Sequence, residues 1–163
     1  MKNKNLIALL AVAGLVSTAW VWASVNHEAT RSECVEVYVD YGILDKGKIV
    51  RDCVPVSGEI DAMTVLNAAG LAIQGTDRYG LSVVCRVNSL PSGGSPILVE
   101  GHEEYVETCK DMPAEFAYWA ILVRTGVTYW GWAQEGVVDI KLEPGDSIGL
   151  VFADNDNVRF PNE

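Results

Sequence analysis

The sequence predicts an α+β domain: one helix packed on a mixed sheet and stapled by disulfides. Three observations lead there. Short segments with alternating or β-branched apolar residues recur from Cys34 to Phe152, which is the signature of strands. Only Asp61–Ala69 carries an apolar stripe at helical spacing, with Ala62, Val65, Leu66 and Ala69 on one face. Four cysteines, Cys34, Cys53, Cys85 and Cys109, all follow an apolar leader.

That leader has the pattern of a secretory signal peptide. Lys2 and Lys4 precede an apolar run from Leu6 to Ala23, and the chain turns polar at Ser24. Val21 and Ala23 suit cleavage after Ala23, with Ser17 and Ala19 as a second choice. An uncleaved anchor is the alternative, since the run approaches the ~20 residues that span a bilayer. Both readings place the remainder outside the cytoplasm. Cleavage leaves 163 − 23 = 140 residues, enough for one domain with a core. The basic count falls from 12 to 10 against 22 acidic residues, so the net charge becomes −12. Such an exterior repels nucleic acid and anionic membrane surfaces, and neither is expected as a partner.

Residues 24–33 form a polar lead-in. Cys34-Val-Glu-Val-Tyr-Val-Asp-Tyr41 alternates, with Val35, Val37 and Val39 on a core face and Glu36, Tyr38 and Asp40 on a wet one. Asp45-Lys-Gly-Lys48 turns the chain, and residues 49–56 return as a second strand, so Cys34–Cys53 is the natural cross-strand bridge. The helix follows, with Ser57 or Asp61 as candidate caps and Gly70 suited to the left-handed residue beyond its end. Residues 74–79 are polar, and residues 81–87 form a third strand. Residues 88–96 are a Ser-, Gly- and Pro-rich loop, 97–99 a brief strand, and 101–112 an acidic crossing. A Cys85–Cys109 bridge pins this long excursion to the third strand. Three connectivities are open to four cysteines, and no C-x-x-C spacing or histidine pair favours a metal instead.

Two aromatic strands come next, Phe116–Val123 and Val127–Trp132, around Arg124-Thr-Gly126. Residues 136–142 are either a short strand or an extended connection, Glu143-Pro-Gly-Asp146 is a turn, and Ser147–Phe152 a closing strand. The domain thus runs from 34 to 153, and 154–163 is a polar tail. In that tail Asp154-Asn-Asp-Asn157 alternates oxygen ligands, without the glycine and distal glutamate of a calcium loop.

Hairpin, helix, then further strands is the layout of a β-grasp, ubiquitin-like domain. The ordered series of the helix, Tyr79-Gly80, Cys85-Arg-Val-Asn88, Tyr118-Trp119, Gly126, Trp130 and Pro144-Gly-Asp-Ser-Ile-Gly-Leu-Val-Phe152 resembles the C-terminal β-domain of transcobalamin and intrinsic factor. It is similar to secreted bacterial relatives of that domain, which often carry a cysteine pair like Cys85 and Cys109. The resemblance covers about residues 34–152 and implies a secreted β-grasp module. In the vitamin carriers the lobe closes over cobalamin held mostly by a separate helical domain. This sequence adds cysteines and a Trp-Gly-Trp and has no length for such a domain, so no cofactor is expected and no ligand contact is carried over.

The aromatic hairpin is the candidate site. Pairing Val123 with Val127 sets Tyr118 opposite Trp132 and Ala120 opposite Trp130. Tyr118, Trp130 and Trp132 then share one face, and Trp119, Ile121 and Tyr129 the other. Tyr118, Trp119, Tyr129, Trp130 and Trp132 are therefore candidate ligand-binding residues for a small molecule, a glycan or a protein. Alternatively the Cys-pinned loop covers the second face and makes them core. A hydrolase would use His102 with nearby carboxylates or with Ser82, Ser92 or Ser95. No G-x-S-x-G context supports it, and a non-catalytic module is expected. A third reading is an inhibitor-like partner module acting through residues 88–112.

Overall fold

A computed structural model of the chain describes residues 33–155 and 157–161. The expected signal peptide, its expected cleavage site and most of the lead-in lie outside the described residues. Strands β1 (Cys34–Asp40) and β2 (Ile49–Pro55) form the opening hairpin around a 3₁₀ turn at Gly42–Asp45. A two-residue β3 (Ile60–Asp61) runs into helix α1 (Ala62–Ala68). Then come β4 (Ile73–Thr76), β5 (Gly80–Val87), β6 (Ala117–Arg124), β7 (Gly131–Trp132), β8 (Lys141–Leu142) and β9 (Ser147–Asp154). The architecture of the described residues is α+β, mostly sheet with one α-helix.

The main sheet has the order β2-β1-β9-β6-β7. Its central pair, β1 and β9, is parallel, with Val37 opposite Ile148 and Val39 opposite Leu150. β6 lies antiparallel to β9, with Trp119 opposite Phe152 and Ile121 opposite Leu150. Val35, Val37, Val39, Ile148, Leu150, Phe152, Ala117 and Trp119 fall on one face by simple alternation. Ala62, Val65 and Leu66 of α1 join them in one core and are wholly buried. Gly70, at a φ of +74°, supplies the left-handed residue that ends the helix. Asp61 occupies the N-cap position but makes no capping bond; its carboxylate pairs with Lys141 instead.

Both disulfides form as expected, Cys34–Cys53 across the β1–β2 hairpin and Cys85–Cys109 between β5 and the loop after it. Among the described residues no cysteine is free, and no helix is long and apolar enough to cross a membrane.

Four expectations are corrected. Tyr38 and Asp40 were assigned to a wet face, yet they are 4% and 3% exposed, because β1 sits inside the sheet and is covered on both sides. The third strand, β5, leaves the main sheet and pairs with β4, a strand hidden in the polar segment before it. Residues 97–99 form no strand, only a bridge between Ile97 and Tyr105. The aromatic hairpin closes later than expected. Leu122, not Tyr118, stands opposite Trp132, and Val123 faces Gly131. Residues 125–130 form a loop tied down by Gly126 N–H to Asp146 Oδ1 (2.9 Å) and Thr128 Oγ1 to the Thr125 carbonyl (2.8 Å). The register moved by an even number, so Tyr118 and Trp132 keep a common face.

Candidate functional site

The sheet face away from α1 is closed by a ladder of rings and cations, not by the Cys-pinned loop. Tyr38, Leu122 and Val151 form a small second core, with Trp130 and Val158 packed on it. Trp130 reaches back from the 125–130 loop to lie 6.4 Å from the Tyr38 ring. The Arg51 guanidinium stands 4.9 Å from the Tyr38 ring centre and that of Arg124 5.3 Å from Trp130. Glu36 lies between the two arginines, 2.7 Å from Arg124 and 3.7 Å from Arg51. Burial, and secondarily the Asp40 charge, pushes the Tyr38 phenol above its ordinary pKa. Gly149 makes the ladder possible, since a Cβ there would meet the Trp130 ring at 3.1 Å.

Trp119 belongs to the other side. It is 5% exposed, wedged edge-on against Tyr41 and Phe152, and its indole N–H donates to the Leu90 carbonyl at 3.1 Å. Tyr129 stands 91% exposed on the loop tip.

Tyr118 and Trp132 do converge, on a cleft of about 510 Å³ that runs along the outer edge of β6. Its walls are Ser82–Val84 of β5, residues 112–115, and residues 132–136. The cleft exists because β7 is short. β7 pairs with β6 only at Leu122 and Val123, leaving the start of β6 without a strand on that side. Side chains from both faces of β6 therefore reach it, Tyr118 and Ala120 from one and Ile121 from the other. Met112 adds an exposed thioether side chain, and Trp132 is 45% exposed, its ring edge-on to Phe160. The charged residues along the cleft are Glu115 and Glu135.

One wall is held by a buried carboxylate. Glu107, 3% exposed, accepts the Tyr105 hydroxyl at 2.7 Å and the Cys109 N–H at 2.6 Å. The same hydroxyl accepts the Ala114 N–H at 3.2 Å, so Tyr105 ties the cleft wall to the disulfide loop. Arg86 completes the anchor by donating to the Glu107 and Pro91 carbonyls at 2.7 and 2.8 Å. Burial first, and then the bond to Glu107, pushes the Tyr105 phenol up to about 12.

His102 is exposed and its imidazole stacks on Phe116 at 3.9 Å; Ser82 lines the cleft and His102 does not. Among the described residues no cluster of His, Cys, Asp or Glu could hold a metal ion. Asn155, in the tail segment read for calcium ligands, donates its side-chain amide to the Glu100 carbonyl at 2.9 Å. Sequence reasoning reached Tyr118 and Trp132 through their aromatic composition. It missed Met112, Glu115 and Glu135, which come from separate loops and share no local pattern. Comparison with protein-family models, curated proteins and solved structures finds no significant match.

Proposed function

We propose that this chain is a secreted, non-catalytic binding domain of β-grasp type, and that its ligand seat is the cleft along β6. The cleft itself carries the reading. Its volume of about 510 Å³ falls within the usual range for small-ligand sites, and it combines aromatic and aliphatic walls with a few polar groups. The β-grasp assignment is supported by the hairpin–helix–strand order and by a sheet whose first and last long strands lie parallel at its centre. The resemblance to the carriers' β-domain supports the same fold and names no ligand. Export is supported by the leader pattern and by two disulfides, which persist in oxidising compartments.

The hydrolytic alternative needs His102 poised beside a nucleophile, and the ring contact its imidazole makes is a stack on Phe116. Neutral indole is a suitable probe for the seat. Its addition should shift the amide resonances of Tyr118, Ile121 and 132–136 together, and Trp132→Ala should weaken that response with little change in thermal midpoint. Tyr129→Ala, on the exposed tip, should leave it intact. Shifts scattered over the surface, or an unchanged response in Trp132→Ala, would refute the assignment.

A further inference from the structure

The cleft follows a strand edge, and this narrows what it can hold. Along β6, Ile121 O accepts the Ala133 N–H and Ala117 N–H donates to the Ala114 carbonyl, each at 3.0 Å. Odd-numbered residues of β6 therefore aim their backbone groups away from β9, as antiparallel pairing requires. Midway between these two ties, the N–H and C=O of Trp119 point into the cleft, beyond the reach of β7. From Ala117 to Ile121 the edge spans about 14 Å, room for three or four extended residues. Side chains line it from both sheet faces, so a strand laid there would find apolar surface for residues of either parity. Charge selects further. Glu115 and Glu135 flank the cleft, no Lys or Arg among the described residues lines it, and the whole chain carries 22 acidic against 12 basic residues.

Resting on the cleft being the ligand seat, we propose that its occupant is an extended, basic peptide segment of another protein. The segment adds as a strand to the free edge of β6, through the Trp119 backbone groups, with its cationic side chains toward Glu115 and Glu135. Main-chain bonds give affinity in such strand addition, and the flanking carboxylates give the preference for cationic sequences.

Four capped pentapeptides serve as probes: alternating valine and lysine, alternating valine and glutamate, and the valine–lysine peptide N-methylated at alternate residues in each of the two registers. The valine–lysine peptide should shift the amides of 117–121, and its binding should weaken with added salt. The glutamate peptide should bind at least about tenfold more weakly. Glu115→Gln and Glu135→Gln should each cost roughly 1.4- to 5-fold at low salt, as expected for exposed charge pairs. One of the two N-methylated registers should abolish binding, because it removes the donor that meets the Trp119 carbonyl. Equal binding of lysine and glutamate peptides, full binding by both methylated registers, or self-association of the chain through this edge would each overturn the proposal. If indole still shifts the cleft while the valine–lysine peptide does not, the peptide inference falls and the cleft assignment stands. If neither shifts it, both fall.

Discussion

Tyr105→Phe tests how the cleft wall is held. The change removes one oxygen and no ring, so packing against Phe116, edge-on at 5.7 Å, is kept. Two bonds go with that oxygen, one from the Ala114 N–H and one to the nearly buried Glu107 carboxylate. The first is worth about 1 kcal/mol, and leaving Glu107 Oε2 without its donor, while Oε1 keeps the Cys109 N–H, costs about 1–3 kcal/mol, so the variant should lose about 2–4 kcal/mol. For a domain of this size that corresponds to a fall in thermal midpoint of roughly 6–20 °C. Alkaline pH gives an independent readout. The folded chain raises the phenol from 10.0 to about 12, binding its proton more tightly than the unfolded chain does. That stabilisation is complete below pH 10 and is lost as pH rises through 12. Thermal melts and urea titrations from neutral to strongly alkaline pH should show a shallower alkaline decline in Tyr105→Phe. A variant within about 0.5 kcal/mol of the parent, with an unchanged alkaline profile, would remove Tyr105 as the anchor of residues 112–115.

Trp119→Ala should lose about 3–5 kcal/mol, because the ring is core on three sides, whereas Tyr129→Ala should stay within about 0.5 kcal/mol; chemical denaturation separates the two. Replacing Cys85 and Cys109 together with alanine should cost about 3 kcal/mol and weaken indole binding, since the bridge positions the loop that forms one cleft wall. Melting with and without the pair, alongside the indole titration, measures both effects.

Much of the sheet was legible because its chemistry is local. Val35, Val37 and Val39 alternate, α1 carries its stripe within seven residues, and Gly70 marks its end. The first hairpin and the long loop make Cys34–Cys53 and Cys85–Cys109 the natural pairs, although four cysteines alone leave three connectivities open. β4 escaped because its Gln74-Gly75-Thr76 is polar and its pairing with β5 is bulged, so no alternation survives. The aromatic hairpin was misregistered because the bonds that hold 125–130 as a loop include one to Asp146, twenty residues away. Aromatic composition alone could not divide the tryptophans either. Trp119 is sealed in by α1's face of the sheet, and Trp130 is claimed by Tyr38 and Arg124. The cleft was not legible at all. It is a gap left where β7 stops, walled by four segments that meet only after folding.

The parallel pairing of β1 with β9 also sets an order of events. β1 begins at Cys34 and its central partner only at Ser147, so a chain emerging from its N-terminus holds the first hairpin long before the strand that must lie beside it. Closing that span is slow, since the entropy of a loop of over a hundred residues is lost before the contacts form. The main sheet cannot assemble until β9 has been made. In a chain passing through a narrow channel, this sheet could not lock until β9 had cleared it.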